Sequence, residues 1–282
     1  DTLPVRGDLF GMERLEQHGR TLASAQPVTL SPPNVISLHQ RLNDNAKVLL
    51  ASYRASAQEL DKGGSVVPAA EWLLDNYHLV AAQIREVRED LPPRYYRQLP
   101  KLSQGPFAGY PRVFGLVWAF IAHTDSHVDP IALRRFIMAY QDVQPLTIGE
   151  LWAVAITLRI VLIENLRRLA DQMTVGRKAR ADAERVANEL LQSGEAGAVR
   201  GDEITNSYLS AYILSSDNDA PLSETFAAQL VKRLRDQDPK TTPALGWLEQ
   251  RLKQQGSSTE EVVQHAQQRL GISNVTVRNI IT

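Results

Sequence analysis

The chain contains no cysteine. This excludes disulfides, thiolate nucleophiles and cysteine-based zinc sites, and it fits a reducing compartment. Charge of either sign is also missing in the net. The 31 lysines and arginines meet 32 aspartates and glutamates, leaving −1, which removes the electrostatic footprint of a general nucleic-acid binder. No apolar run reaches the ~20 residues of a membrane span. The longest, residues 113–122 and 151–163, read as core helices, the second interrupted by Arg159. Strand-period alternation is nearly absent. No nucleotide fingerprint, Ser-His-Asp spacing or Asp-x-Asp metal motif occurs, so an enzymatic site complete within these residues is not expected. The first residue is aspartate and no apolar leader follows, so the chain is expected to be processed or an excerpt of something longer.

What is present is helix punctuation. Hydrophobic residues make up 43% of 282, enough to build a core for one large domain or two small ones. Ser31-Pro32 places a capping hydroxyl before a proline. The pattern predicts a helix through Leu38, Leu42, Leu49, Tyr53 and Leu60 to Gly63-Gly64. Pro68 opens a second helix over 69–90, closed by Leu91-Pro92-Pro93, and Pro111 a third, to about His123. Asp129-Pro130 caps a fourth over 131–143. Thr147 and Glu150 form a capping box for a long helix that reaches Met173 or beyond, ~40 Å at 1.5 Å per residue. Its middle is apolar nearly all round, which predicts burial.

The stretch 177–200 reads as a solvated helix with a loop at 193–201. Shorter helices are predicted at 203–214, 223–235, 243–255 and 259–270. Thr242-Pro243 repeats the cap-then-proline signature, Ser258 with Glu261 is a second capping box, and Gly256 and Gly271 are candidate stops. Residues 272–282 read as a strand by propensity or as the start of another helix. The fold class is all-α, a multi-helix bundle or short helical-hairpin array with a long central helix near 147–173. Four regions are expected: 1–30, a flexible arm with a short helix at 8–25; 31–175, the main helical domain; 176–202, a charged and Gly-rich connection; and 203–282, a C-terminal helical subdomain cut off at its end.

Candidate chemistry is sparse. His123 and His127 have the i,i+4 spacing with which two imidazoles share a metal on one helix face. They sit at a helix end, where Asp125 or Asp129 reads better as a cap for the next helix. Trp72-Leu-Leu-Asp-Asn-Tyr-His78 places Trp72 with Asn76 on one face and Asp75 with His78 on another. Aromatics beside a carboxylate could hold a sugar. The preferred reading is a polar cluster inside the core, with Asp75 accepting from Arg159 or another arginine. Arg159 is expected to be buried and paired, with Asp75 and Asp125 the leading partners. Arg94-Tyr95-Tyr96-Arg97 reads as packing on a helix end with its hydroxyls wet, rather than as a recognition edge. The loop 105–111 lacks the lysine of a phosphate loop. Glu164 with Arg167 and Arg168 reads as a solvated face.

Six segments in order carry more than any one alone: Trp72–His78, Asp90-Leu-Pro-Pro-Arg-Tyr-Tyr-Arg-Gln-Leu-Pro100, Gly109-Tyr-Pro-Arg112, His123-Thr-Asp125, Ile148-Gly-Glu-Leu-Trp152 and Glu164-Asn-Leu-Arg-Arg-Leu169. This series resembles the N-terminal cytoplasmic region of the cyclic beta-1,2-glucan synthases. It is dense from 31 to 170, thinner from 171 to 260, and recovers at 264–281. The resemblance implies a helical domain preceding the first membrane segment of a very large multi-pass protein that extends beta-1,2-glucan from UDP-glucose, cyclises it and exports it.

UDP-glucose and a divalent metal are then expected only in the parent's transferase domain, with a chain-trimming, phosphorylase-like region near its C-terminus. No catalytic, cofactor-binding or metal residue carries over to this chain. The implied partners are the rest of the parent synthase, with beta-glucan a further candidate, no nucleic acid, and the membrane only through the parent. The implied place is the cytoplasmic face of a bacterial inner membrane, and the implied role scaffolding or regulation. The alternatives are a glucan-binding module and a stand-alone helical adaptor. The candidate polar-core or contact set is Trp72, Asp75, Asn76, Tyr77, His78, Tyr95, Tyr96, Arg112, His123, Asp125, Glu150, Trp152 and Arg159.

Overall fold

A computed structural model describes residues 3–195, 222–235 and 243–281, and among them the fold is all-α. In chain order the elements are α1 (Met12–Ala25), β1 (Val28–Thr29), α2 (Leu38–Asp61), α3 (Pro68–Asp90), α4 (Pro93–Gln98), β2 (Lys101–Leu102), α5 (Arg112–His123), α6 (Pro130–Gln141), α7 (Ile148–Glu195), α8 (Glu224–Arg235), α9 (Pro243–Gln254) and α10 (Thr259–Ile281). The two strands pair antiparallel, Val28 opposite Leu102 and Thr29 opposite Lys101. Two compact units result, Asp1–Gln172 with Ser273–Thr282, and Met173–Ile272. No helix among the described residues is long and apolar enough to cross a membrane.

The helix starts follow the local chemistry. Thr147 Oγ1 accepts from the Glu150 amide at 3.2 Å, and Glu150 Oε2 accepts from the Thr147 amide at 2.9 Å, the reciprocal satisfaction a capping box provides. Ser258 and Glu261 repeat it at α10. Asp129 Oδ1 accepts from the Ile131 amide at 2.7 Å, and Pro68 and Pro130 occupy first helical positions. The cap expected at Ser31-Pro32 is not used. The helix starts six residues later, where Ser37 accepts from the Gln40 amide at 3.2 Å. Gly63 closes α2 with a φ of +76°, a conformation that favours glycine.

In the first unit, α5 lies at the centre of the core, with Val113, Phe114, Leu116, Val117, Phe120 and Ile121 buried. Phe136 of α6 meets Phe120 with ring centroids 5.7 Å apart. Leu38, Leu42 and Leu49 of α2, Leu73 and Val87 of α3, and Ile160, Val161 and Leu169 of α7 complete it. The N-terminal segment is no loose arm. Val5 is 3% exposed, the Gly7 amide donates to Ala122 O at 2.8 Å, and α1 packs on α6. That packing needs Gly19, since a Cβ there would sit 2.9 Å from Phe136 O.

In the second unit, Ala183, Val186 and Ala187 of α7 pack with Phe226, Leu230 and Leu234 of α8, Leu248 and Leu252 of α9 and Val262 of α10. The stretch expected to be a solvated helix therefore carries an apolar stripe, and the helix continues to Glu195. The expected helix at 203–214 and most of the loop at 193–201 lie outside the described residues. Gly271 does not stop a helix and 272–281 is not a strand, because α10 continues through both to Ile281.

Candidate functional site

Three buried polar junctions in the first unit gather most of its interior charge. The first joins α5 to the start of α7. Arg112 donates from Nε to Glu150 Oε1 at 2.9 Å and from Nη2 to Glu150 Oε2 at 2.7 Å. The pair is bidentate, the strong geometry for a guanidinium on a carboxylate. Glu150 is fully buried and Arg112 nearly so. Thr147 Oγ1 also donates to Glu150 Oε2 at 3.0 Å, so one carboxylate caps the helix and neutralises the arginine. Tyr140 lies beside it and donates to Gln26 Oε1 at 3.1 Å. Burial pushes the Tyr140 phenol up to about 12.

The second junction centres on Glu164. Its Oε1 accepts from Arg41 Nη2 at 3.0 Å and from Arg168 Nε and Nη2 at 3.1 Å each, and Arg167 Nη2 lies at 3.3 Å. Its Oε2 accepts from Asn45 Nδ2 at 2.7 Å and Arg41 Nε at 3.2 Å. Burial alone would raise the Glu164 carboxyl. The Arg41 charge and the hydrogen bonds from Asn45 and Arg41 outweigh it and hold the group at about 2. Arg168 also lies 4.9 Å over the Trp118 ring and donates to Leu3 O at 2.8 Å. Arg167 donates to Asp171 at 2.6 Å.

The third junction ties two distant stretches to the turn after α5. Asp125 and Ser126 both adopt positive φ, 50° and 63°. Asp125 Oδ1 accepts from Thr276 Oγ1 at 2.8 Å, and Asp125 O accepts from Asn279 Nδ2 at 3.0 Å. Arg6 approaches the same carboxylate at 3.6 Å. Asn165 donates to Ser126 Oγ at 2.8 Å and accepts from the Val5 amide at 2.6 Å. The last turns of α10 and the N-terminal segment thus meet one buried turn.

The candidate residues of the sequence divide accordingly. Arg112, Glu150 and Asp125 are buried junction members. Tyr95 donates to Gly149 O at 2.5 Å, and Tyr96 carries the Lys101 ammonium 3.6 Å above its ring. Trp72, Asp75, Asn76, Tyr77 and His78 do not form a core cluster. Asp75 and His78 are exposed, Trp72 is 37% exposed, Asn76 donates to Trp72 O, and Tyr77 stacks on Tyr53 with centroids 4.5 Å apart. His123 and His127 do not face a common ligand. Helix α5 ends at His123, which stacks on Phe10 at 3.8 Å with Nδ1 2.7 Å from Asp8 O, while His127 is exposed beyond the turn. Among the described residues no group of three or more His, Asp or Glu is placed to hold a metal.

Two expectations reverse. Glu164, Arg167 and Arg168 are not a solvated face, since Glu164 and Arg168 are buried. Arg159 is not buried and pairs with neither Asp75 nor Asp125. Its side chain is 36% exposed and lies 3.2 Å from Asp90 and 3.5 Å from Glu86. An exposed pair of this kind contributes little, so Arg159→Ala is expected to cost under about 1 kcal/mol in denaturant melts. A loss of several kcal/mol would place the guanidinium inside.

Arg41, Asn45 and Thr276 did not stand out in the sequence, and Asn165 did so only as part of the segment 164–169. For Asn45 a signal existed. The buried face of α2 runs Leu38, Leu42, Asn45, Leu49, Ser52, Ser56, so Asn45 is a polar residue at a core-face position, and such a group needs a partner.

Chemically, the junctions leave little to react. A carboxyl held at about 2 takes up no proton at neutral pH. Its arginines are already engaged with it, and Arg112 and Glu150 satisfy one another. These are positions for holding helices. No family model matches the chain. It is 37% identical over 277 residues to the cyclic beta-(1,2)-glucan synthase NdvB of Rhizobium meliloti (strain 1021), an alignment covering 98% of this chain. The chain spans 9% of the length of that protein.

Proposed function

Because nearly the whole chain belongs to the cyclic beta-1,2-glucan synthase family, we propose that it is a helical scaffolding or regulatory region of such a synthase, with the glucose-transferring machinery elsewhere in the longer protein. In this reading the parent is membrane-bound, builds the glucan from UDP-glucose, and holds donor and metal in its transferase domain. This region precedes the first membrane segment on the cytoplasmic side. The observation that carries the non-catalytic part is the Glu164 junction. Its carboxylate is engaged by three arginines and an asparagine and held at about 2, which suits a structural strut and not an acid–base group.

The isolated chain, incubated with radiolabelled UDP-glucose, is expected to transfer no label above a protein-free control. Transfer above that control would overturn the non-catalytic reading. In a full-length synthase, unfolding this region by substitution at Glu164 is expected to lower cyclic glucan output, and unchanged output from such a protein would contradict the scaffolding role. A second reading, a glucan-binding surface, has support in the exposed ring of Trp72 and the stacked pair of Tyr53 and Tyr77. Titration with linear beta-1,2 oligomers that leaves tryptophan fluorescence unchanged would remove it.

A further inference from the structure

The N-terminal segment crosses the end of α5 as a strap, and two histidines meet it there. The Gly7 amide donates to Ala122 O at 2.8 Å and the Phe10 amide to His123 O at 3.1 Å. His123 Nδ1 lies 2.7 Å from Asp8 O. A carbonyl only accepts, so this nitrogen carries the proton. The approach is close, since a Cβ on Gly7 would lie 2.9 Å from His123 Cε1. The Phe10 ring stacks on His123 with centroids 3.8 Å apart, and the Arg14 guanidinium lies 4.2 Å over the same ring. Two groups that near cannot share one face, so Phe10 is clamped between them.

His18 of α1 completes the cluster. Its ring meets His123 edge-on at 4.8 Å and Phe10 at 5.5 Å, with Phe136 of α6 at 6.5 Å. The charges that act on it are His123, from α5, and Arg14, one turn earlier on α1, and both oppose its protonation. The acids of the neighbouring elements are engaged elsewhere. Glu16 pairs with Arg135 of α6, Asp129 caps that helix, Asp125 accepts from Thr276, and Asp8 meets His123 through its carbonyl. Glu13 lies in the exposed first turn of α1.

Neutral rings pack here readily. A proton on each imidazole would set three cations in one contact. His123 keeps its bond to Asp8 O in either form, and a charged ring gains from the Phe10 face. The proton the cluster resists is therefore the second, on His18. Burial, His123 and Arg14 together hold the His18 imidazole below its ordinary 6.5. Its share in keeping the cluster closed is present above 6.5 and is lost as pH falls through the folded value.

We propose that residues 7–10 are an acid-released strap, closed over the end of α5 until His18 and His123 are both charged, and lifted when they are. Val5, bonded to Asn165, and α1, packed on α6, anchor the chain on either side. Release is therefore local, and it uncovers His123.

Hydrogen–deuterium exchange of the 282-residue chain tests this. Labelling at about pH 8 and about pH 5 spans the range over which histidine changes charge, with times scaled so that an unstructured chain exchanges equally at both. Peptides covering 7–10 are expected to lose protection several-fold at the lower pH, while 113–121, in the core of α5, keep theirs. His18→Phe retains a ring against Phe136 but takes no proton, and is expected to abolish the loss. So is His18→Gln. Arg14→Gln, at an exposed position, is expected to narrow the difference between the two conditions. Unchanged protection of 7–10 would overturn the proposal, because a charged His18 would then turn to water and leave the strap in place. So would a loss shared by 113–121, or one that persists in both His18 variants.

Discussion

Glu164→Gln is expected to cost about 3–5 kcal/mol of folding stability, the range for breaking a buried charged pair by removing one partner. Asn45 and three arginines converge on this carboxylate. Glutamine keeps the shape and one acceptor oxygen but leaves Arg41, Arg167 and Arg168 facing Asp171 alone among the acids of the junction. The same residue governs acid sensitivity. Its folded value of about 2 lies below the ordinary 4.5. Its stabilisation is therefore complete above pH 4.5 and is lost as pH falls from there through about 2, because the unfolded chain takes up its proton first. The difference is worth about 3 kcal/mol, at 1.36 kcal/mol per unit. Urea melts between pH 6 and pH 3 check both statements. The wild type should lose stability across the lower part of that window, and Glu164→Gln should lose correspondingly less. Parallel acid profiles for the two proteins would remove Glu164 from the account.

The second large effect belongs to Glu150. Glu150→Ala strands the buried Arg112 guanidinium and at the same time removes the carboxylate half of the capping box of α7. The loss should be about 3–5 kcal/mol, of which the cap accounts for about 1. Replacing both partners by apolar residues of similar size, Arg112→Met with Glu150→Leu, should recover much of it, because no buried charge is then left unpaired. A double variant as unstable as Glu150→Ala would mean that the cap and the packing, and not the ion pair, carry the cost. Thermal melts of Arg112→Met, Glu150→Leu and the double variant, beside Glu150→Ala, separate the cases.

The helical architecture was readable because its signals are local. Caps at Thr147, Asp129 and Ser258, prolines at positions 68 and 130 and the glycine stop at 63 each act within a few residues, and the helices start or end at these points. Ser31-Pro32 carries the same local signature, but the chain there forms no helix and the helix waits for Ser37.

The charged interior was not readable, for a reason visible in α7. Where a helix is apolar nearly all round, hydropathy carries no phase, so nothing local shows which of its charges points inward. Arg159, flanked by the buried Leu158 and Ile160, shares the outer stripe with Trp152 and Ala155, while Glu164 and Arg168, in a segment that looks like a surface ion-pair ladder, are buried. The partners that make this possible are far off in the chain. Arg41 is 123 residues from Glu164, and Thr276 is 151 from Asp125. Cross-chain placement of that kind leaves no spacing to read. Arg112 and Glu150 came into view because both lie in motifs read from the sequence, although nothing there joined them.

Site-resolved carboxyl NMR of Glu164 through an acid titration tests most directly the claim that buried, mutually neutralised charges hold these helices together and leave no reactive acid among them. A carboxyl that stays ionised until about pH 2 is the predicted result. A midpoint near the ordinary 4.5 would show a solvated, available group and contradict the account.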